Sequence, residues 1–332
     1  MPPRQSFSEK LIAWQRRAGR KDLPWQGSRD PYRIWLSEVM LQQTQVSAVI
    51  PYFERFLARF PDVAALAAAS EEEVLERWSG LGYYARGRNL HAAARIIAKQ
   101  GFPGDSSSIE RLPGVGRSTA AAIAAFAFGE RAAILDGNVR RVLARHAGIA
   151  GFPGDKKVEA KLWALAEQRL PAKHIETYTQ ALMDLGATVC VRTPRCEACP
   201  VANTCVAKKK RLTAKIPAPR PKKALPSRDA TWWLTRHNGE VLLERRPSSG
   251  LWGGLWTFPE SQPKGLTVAS RRELPVLEHG FTHFKLKIQP VLCEVLRKPA
   301  RVDEPGGMWI DIADAAGAAV PAPVRALLER IA

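Results

Sequence analysis

One carboxyl group lies inside an otherwise apolar stretch near the amino terminus. Glu38 is the only ionisable side chain in IWLSEVML, residues 34 to 41, a stretch whose apolar residues recur at helical spacing. If the helix buries Glu38, the loss of hydration raises its pKa and keeps a proton on the carboxyl group, which is the state that a general acid needs. The alternative is an ordinary glutamate on the solvent-exposed face of the helix.

Four of the five cysteines are concentrated within sixteen residues. Their spacing is C-x5-C-x2-C-x5-C, formed by Cys190, Cys196, Cys199 and Cys205, while Cys293 stands alone. Soft thiolates this close in sequence are typical of one metal centre, and both zinc and an iron-sulfur cluster accept four of them. A reducing compartment favours metal ligation over disulfides, and an unliganded group of core cysteines is the remaining alternative.

A glycine-containing turn leads directly into an alanine-rich helix in LPGVGRSTA, residues 112 to 120. Gly114 and Gly116 are free to adopt positive φ angles in such a turn. Backbone N–H groups at the start of the following helix can hold a phosphate group. The segment is equally compatible with an ordinary turn between two helices.

The elements around these residues fall into three regions. Helical periodicity from Pro31 to about Leu185 predicts an all-α region, and short strand-like segments after Thr231, such as TWWLTR and FKLKIQPVL, predict a smaller α+β domain. Between them, VAKKKRLTAKIPAPRPKKALP has eight basic and no acidic residues, which is typical of an extended cationic linker. The predicted boundaries are a helical domain at 1–206, a linker at 207–226 and an α+β domain at 227–332.

The charge balance indicates a polyanionic partner. The chain has 50 Lys and Arg against 32 Asp and Glu, a formal net charge of +18, which favours nucleic acid over an anionic membrane. The sequence has no apolar run long enough to span a membrane, and its first residues, MPPRQSFSEK, lack a signal-peptide core. We therefore expect a soluble cytoplasmic protein, associated with the nucleoid if the source is bacterial.

The turn, an aspartate and the cysteines occur in the order of a known superfamily. LPGVGRSTA closely resembles the helix-hairpin-helix of the endonuclease III superfamily of DNA glycosylases, in which an Asp follows the hairpin and four cysteines often follow the Asp. That Asp is Asp136, in ILDGNV. The resemblance implies that Gly114, Gly116 and Ser118 belong to the DNA-binding hairpin. Members that cut the DNA backbone through a Schiff base have Lys where this chain has Ser118, and a hydroxyl cannot form an imine, so a glycosylase with little or no lyase activity is implied.

The strings LPWQ, WLSEVMLQQTQV and GLGYYARGRNL resemble the MutY family of adenine DNA glycosylases, and this resemblance extends through the C-terminal domain. It implies that Glu38 is the general acid that protonates a purine ring nitrogen, that Asp136 stabilises or traps the oxocarbenium-like sugar, and that Asn138 supports the site. Asp136 is also suited to capping the helix NVRRVLAR, and the two uses are compatible.

The same resemblance assigns residues to the DNA, to the base and to a cofactor. Gln43 and Tyr83 are implied to fill the gap that an extruded adenine leaves in the duplex. The implied adenine pocket is lined by Trp25, Gln26, Leu41 and Gln180. Gln26 and Gln180 replace charged residues found in other members. The four cysteines resemble the ligands of a 4Fe-4S cluster, although their first gap holds five residues and the family usually has six.

The C-terminal region, GEVLLERRPSSGLWGGLWTFPE, resembles the opening strands of a Nudix hydrolase. Nucleotide hydrolysis by that fold needs clustered carboxylates for Mg²⁺, but Arg272-Glu273-Leu274 is followed by Pro275-Val276-Leu277 where the acidic pair should stand. We therefore expect a Nudix-like fold without its metal site. In MutY proteins this domain senses 8-oxoguanine, and Phe281, Thr282 and His283 resemble the contact triplet.

These resemblances imply a monomeric enzyme that acts on double-stranded DNA containing A:8-oxoguanine or A:G mispairs. A Nudix-type nucleotide hydrolase and a non-catalytic DNA-binding iron-sulfur protein are the alternatives.

Overall fold

The computed structural model describes residues 5–221, 224–247, 250–281, 283–298 and 306–332. The chain divides into two compact units. The first comprises Met1–Ala68 and Asn89–Lys222, and the second comprises Ala69–Arg88 and Lys223–Ala332. The sequence boundaries did not anticipate that Ala69–Arg88 belongs with the C-terminal part of the chain. The reason is that Leu75, in this segment, is buried against Leu255 and Ala319.

The N-terminal two thirds of the chain form helices, as predicted. Their bounds are α1 Phe7–Ala18, α2 Pro31–Leu41, α3 Val46–Arg59, α4 Val63–Ala68, α5 Glu71–Trp78, α6 Ala85–Gln100, α7 Ser106–Ile109, α8 Arg117–Phe128, α9 Gly137–Ala147, α10 Lys156–Gln168, α11 Ile175–Asp184 and α12 Val206–Lys209. Helix α5 and the start of α6 belong to the second unit, and the others belong to the first.

The helices that position the site begin and end at residues suited to those positions. Asp30 caps α2 by accepting the N–H of Tyr32, and Pro31 occupies the first turn, where its missing N–H costs nothing. Helix α8 presents buried alanines, and because they are small α2 packs closely against it. Gly129 ends α8 in the left-handed conformation that favours glycine.

The basic segment differs in its first half from the extended linker that its composition predicted. Helix α12 starts it, and Ile216 is buried in the core of the first unit. The Ile216 carbonyl accepts a hydrogen bond from Arg145, and the Ala218 N–H donates to the Gly151 carbonyl. Burial of Ala207 and Ile216 and these hydrogen bonds hold the segment against the helices despite its charge.

The second unit contains a mixed sheet, in agreement with the predicted α+β domain. Its strands are β1 Ser227–His237, β2 Glu240–Arg245, β3 Trp256–Thr257, β4 Thr267–Glu273, β5 Leu277–Gly280, β6 Lys285–Arg297 and β7 Gly307–Asp311. The order is β3-β2-β1-β6-β4, with β5 also paired to β6 and β7 to β2. Strands β1 and β6 are parallel, and the other pairs are antiparallel.

Alternation along β1 divides the apolar side chains between the two faces of the sheet. Trp232 belongs to the main core, where α14 (Ala322–Ile331) packs, and the adjacent Trp233 forms a smaller cluster with Val291 and Cys293. Helix α13 (Ile312–Gly317) precedes α14. Among the described residues, no helix has the length and apolar character needed to cross a membrane.

Candidate active site and DNA-contacting residues

Glu38 lies in α2, whose neighbouring side chains are buried. Trp35, Leu36 and Met40 are fully buried, and Glu38 is half-buried on the wall of a cavity of about 550 Å³. Burial raises the pKa of Glu38 to about 8, and the nearby charge of Asp136 acts in the same direction. This is the setting that the acid-catalyst interpretation required.

The cavity brings together three of the four residues that the resemblance assigned to adenine. Trp25, Gln26 and Gln180 line it together with Glu38. Leu41 ends α2 and is half-buried, but it is not among the described lining residues. Cationic side chains also line the cavity: Arg16, Arg20, Lys21 and Arg29. The site thus combines an aromatic wall, two amides and an acid with cations suited to an anionic substrate.

Asp184, which sequence reasoning missed, organises one wall of this cavity. It is fully buried and accepts hydrogen bonds from Gln15 Nε2 at 2.8 Å and from the backbone and guanidinium of Arg20 at 2.6 to 2.9 Å. It also accepts from Gln180 Nε2 at 2.9 Å. A single acid in the apolar run ALMDLGATV was the available signal, and it is the same signal that singled out Glu38.

Asp136 caps α9, as the alternative use of this residue suggested. Its Oδ1 accepts the Val139 N–H at 2.7 Å. Burial raises the pKa of Asp136, while hydrogen bonds from the Val139 and Asn138 N–H groups and the charge of Arg141 act in the opposite direction. The net shift is upward, and the donors and Arg141 offset part of the effect of burial by favouring the charged form of Asp136.

Asn138 connects the carboxyl group of Asp136 to the segment that contains the cysteines. Its Oδ1 accepts a 2.7 Å hydrogen bond from Arg141 Nη2, which also donates to the Gly186 carbonyl. Arg141 Nε donates to the Cys190 carbonyl at 2.7 Å. A Cβ at Gly186 would lie only 2.6 Å from the Asn138 Cβ, so this close approach requires glycine.

Of the two hairpin glycines, only Gly114 adopts a positive φ angle. Gly114 has φ 76°, and a Cβ there would lie 2.7 Å from the Asn89 Cβ, whereas Gly116 has φ −101° and caps α8 in an extended conformation. Ser118 points inward, since its Oγ accepts the Leu135 N–H at 2.9 Å. The hairpin is therefore tied to the residue that precedes Asp136.

The two residues implied to wedge the duplex both have unusual backbones. Gln43 has φ 59° and is exposed, and Tyr83 has φ 48° with 53% of its surface exposed. Side chains other than glycine rarely adopt this conformation, and such residues cluster at functional sites. Gln42, next to Gln43, donates to the Gly114 carbonyl at 3.4 Å and to Thr119 Oγ1 at 3.3 Å.

All four clustered cysteines line one small apolar cavity of about 20 Å³. Buried Arg145 donates to Cys190 Sγ at 3.5 Å and to the Val191 carbonyl at 2.6 Å. A zinc site would bring its sulfurs within about 4 Å of one another, because each Zn–S bond is about 2.3 Å. Within the described ranges no three His, Cys, Asp or Glu side chains are arranged around a single ion. The four thiols share one cavity, as expected for ligands of a single metal centre.

Comparison with known proteins assigns the family. Residues 36–168 match the HhH-GPD superfamily of base excision DNA repair proteins, and residues 230–330 match the NUDIX domain. The adenine DNA glycosylase of Buchnera aphidicola subsp. Acyrthosiphon pisum is 36% identical over 97% of this chain and 97% of that protein. The human adenine DNA glycosylase is 33% identical over 92% of this chain and 70% of that protein. The chain belongs to the adenine DNA glycosylase family.

This family member is a base excision repair enzyme with a helical glycosylase domain and a Nudix-like domain. A solved thermostable thymine-DNA glycosylase superimposes on it with a TM-score of 0.55 and 29% identity, covering 61% of this chain and 95% of that chain.

In the Nudix-like domain of this glycosylase, the expected lesion contacts lie at the turn between β5 and β6. Phe281 is half-buried, and its N–H donates to the Phe284 carbonyl at 2.8 Å. The Phe281 and Phe284 rings stack with centroids 4.6 Å apart. His283 is exposed. Thr282 lies outside the described residues.

The Nudix-like domain has strands where a Nudix hydrolase has its metal-binding helix. Arg272 and Glu273 end strand β4, and Leu277 starts β5 after the intervening Leu274, Pro275 and Val276. Proline disfavours a helix here, and the apolar residues supply no oxygen ligands. Residues 272–277 therefore do not form the acidic metal-binding helix of a Nudix hydrolase.

Proposed function

We propose that the protein hydrolyses the N-glycosidic bond of adenine mispaired with 8-oxoguanine or guanine in double-stranded DNA. The observation that carries this proposal is the placement of Glu38, with its pKa raised to about 8, in the same cavity as Trp25, Gln26 and Gln180. A flipped adenine is a flat base with ring nitrogens to protonate and an N6 amino group to recognise.

Glu38 delivers the proton. At neutral pH its carboxyl group is mostly protonated, so it donates to a ring nitrogen of adenine and allows the base to leave as a neutral molecule. The sugar then gains oxocarbenium character. Asp136, held by the start of α9, stabilises this positive charge or adds to the sugar carbon before water releases it.

Gln180 distinguishes adenine from guanine. Because its Nε2 donates to Asp184, its carbonyl Oε1 remains to accept a hydrogen bond. Adenine offers the N6 donor to such an acceptor, whereas guanine presents the O6 acceptor at the same position, which would leave two oxygen atoms facing each other. The buried Asp184–Arg20 ion pair keeps this amide in one orientation.

Ser118 supports strand cleavage poorly. Its hydroxyl cannot form an imine, and it already accepts the Leu135 N–H. The enzyme is thus a monofunctional glycosylase. The protein acts as a monomer and binds DNA through the basic hairpin region. Gln43 and Tyr83 then fill the space that the extruded adenine leaves in the duplex.

Cys190, Cys196, Cys199 and Cys205 hold a 4Fe-4S cluster. Their shared cavity, the apolar neighbours and the Arg145 donor to Cys190 fit a group bearing negative charge. When bound, the cluster cross-links the loop through Fe–S bonds. The residues of this chain then connect the loop to the site, because Arg141 contacts both the Cys190 carbonyl and Asn138.

Phe281, Thr282 and His283 read the oxidised guanine. The support is their likeness to the family triplet and, for the described members, the exposed His283 beside the Phe281 ring stack.

The test is single-turnover incubation with duplexes that pair adenine with 8-oxoguanine, guanine, cytosine or thymine, measuring free adenine. Release from the first two duplexes is expected, without a borohydride-trapped adduct. Duplex binding without base release would instead support a non-catalytic DNA-binding protein, and an abundant adduct would contradict the assignment as a monofunctional enzyme. Release of phosphate from nucleotides would support the Nudix alternative.

A further inference from the structure

A second cavity, of about 410 Å³, lies within the second unit, and its lining includes the rings of Tyr83, Tyr84, Trp252, His279 and Phe281. It is formed by the Tyr83 loop, by the turn at Leu251 and Trp252, and by His279 and Phe281 at the end of β5. The wedge residue Tyr83 and the lesion-reading residue Phe281 therefore line the same cavity. Trp252 lines this cavity too and has no role in the proposed reaction.

Trp252 packs against both sides of this cavity. Its ring lies 5.3 Å from the Phe281 ring, 5.7 Å from His279 and 5.5 Å from Trp232, between centroids. It also packs with Tyr84 against the cluster formed by Leu75, Leu255 and Ala319. Trp252 thereby joins the sheet core that supports Phe281 to the cluster that supports the Tyr83 loop.

The backbone of Trp252 is unusual for so large a residue. Its φ is 53°, in the left-handed region, as is that of Tyr83 at 48°. A bulky residue keeps such a conformation only when its surroundings hold it. Here the Trp252 carbonyl accepts the Leu255 N–H at 3.0 Å, and the adjacent Gly253 carbonyl accepts from Arg88.

The Tyr83 loop depends on the C-terminal part of the chain for its other contacts. Tyr84 donates its hydroxyl to the Val320 carbonyl at 3.0 Å. Arg325 donates to Ser79 Oγ at 2.9 Å, at the end of α5. Together with the Arg88 contact, these bonds fasten both ends of the loop to the Nudix-like domain.

We propose that Trp252 is a positioning residue that couples the Phe281 turn to the Tyr83 loop, so that recognition of the oxidised guanine and insertion of Tyr83 occur together. This inference rests on the proposed function. Burial lowers the pKa of His279, which keeps that ring neutral and able to pack against Trp252. Movement of Phe281 toward a bound lesion is passed to Tyr83 through the rigid indole ring.

The test compares Trp252→Ala and Trp252→Phe with Trp309→Ala, in full-length protein. Trp309 is a matched control, because it is also half-buried in this domain but packs near His237 at another edge of the sheet. The readouts are the ratio of affinities for A:8-oxoguanine and A:G duplexes, and the fluorescence of 2-aminopurine placed beside the lesion. Trp252→Ala should lower the ratio roughly tenfold and abolish the fluorescence change, with Trp252→Phe recovering most of both.

A double-mutant cycle with Tyr83→Ser separates coupling from simple destabilisation. The effects of Trp252→Ala and Tyr83→Ser on the ratio should be strongly non-additive, whereas those of Trp309→Ala and Tyr83→Ser should add. Additive effects in the first pair would overturn the proposal. If Trp252→Ala fails to fold, Trp252→Leu takes its place. A wild-type protein that releases no adenine from either duplex would refute the proposed function itself, which is a distinct outcome.

Discussion

Gln180 donates its side-chain amide to the buried carboxylate of Asp184 at 2.9 Å, four residues later on α11. Asp184 is an acceptor only, so the contact determines which end of the Gln180 amide points away from it. The end that remains is the carbonyl oxygen, in the cavity that also contains Glu38.

Replacing Gln180 by Leu should therefore lower kcat/KM for adenine release by roughly 10- to 100-fold, the loss expected for one hydrogen bond in a specific site. Gln180→Glu introduces a second carboxylate beside Asp184 and should be at least as harmful. Single-turnover rates and duplex affinities provide the measurement. Equal losses in affinity and rate would indicate that Gln180 supports the fold and not the choice of base.

Glu38→Gln and Asp136→Asn should each lower the rate of base release by at least about 10²-fold while leaving duplex binding largely intact. Asparagine is a good N-cap, so Asp136→Asn keeps the Val139 contact and removes only the charge. Asp155→Asn, which changes another capping aspartate at the start of α10, is the matched control and should be silent. A substantial rate for Asp136→Asn would mean that the residue acts mainly as a cap.

The pH dependence follows from the raised pKa of Glu38. The acid is active when protonated, so kcat/KM should be high below pH 8 and fall as the pH rises through about 8. A profile that stays flat to pH 9.5 would exclude Glu38 as the acid.

Stability should depend on Glu38 between pH 4.5 and about 8. The folded protein keeps a proton that the unfolded chain releases above its ordinary pKa of 4.5, so Glu38 lowers stability as the pH rises from there to about 8. Glu38→Gln should consequently raise the melting temperature at pH 8 and change it little at pH 4.5. A larger rise in melting temperature at pH 4.5 than at pH 8 would contradict burial of the Glu38 carboxyl group.

Purified protein should be yellow-brown and contain about four irons per chain, as expected for four thiolates around one cluster. Cys196→Ser should reduce the iron content, whereas Cys293→Ser, outside the cavity, should leave it unchanged. Stoichiometric zinc without iron in elemental analysis would refute the cluster.

Local residue types were sufficient to predict the helices and the α+β domain, and they singled out Glu38, which the structure places on a cavity wall with a raised pKa. The proposed adenine-binding roles of Trp25, Gln26 and Gln180 came from the family resemblance. Asp184 escaped notice because its partners Gln15 and Arg20 are more than 160 residues away, and only the fold brings them together. Contacts with residues distant in sequence also explain two other differences. Ala69–Arg88 belongs to the C-terminal unit, and Ile216 packs in the core of the first unit although an extended linker was predicted there.

That placement of Ala69–Arg88 changes what removal of the Nudix-like domain should do. A chain that ends before Ser227 loses Phe281 and His283, but it also exposes Leu75 and leaves Tyr84 without the Val320 carbonyl. We expect the truncated protein to lose its preference for 8-oxoguanine over guanine and, because the Tyr83 loop is released, also to remove adenine from A:G pairs more slowly.

The double variant Thr282→Ala, His283→Ala separates these two effects. It removes the proposed lesion contacts, worth about 1 to 3 kcal/mol, while the packing of α5 stays intact, so the preference should fall and the A:G rate should persist. Single-turnover rates on both duplexes, with the iron content as a check of folding, decide the outcome. If the truncated protein excises adenine from A:G pairs as fast as the intact chain, the C-terminal contacts do not position the Tyr83 loop. If the double variant keeps its full preference for 8-oxoguanine, the lesion is read by other residues.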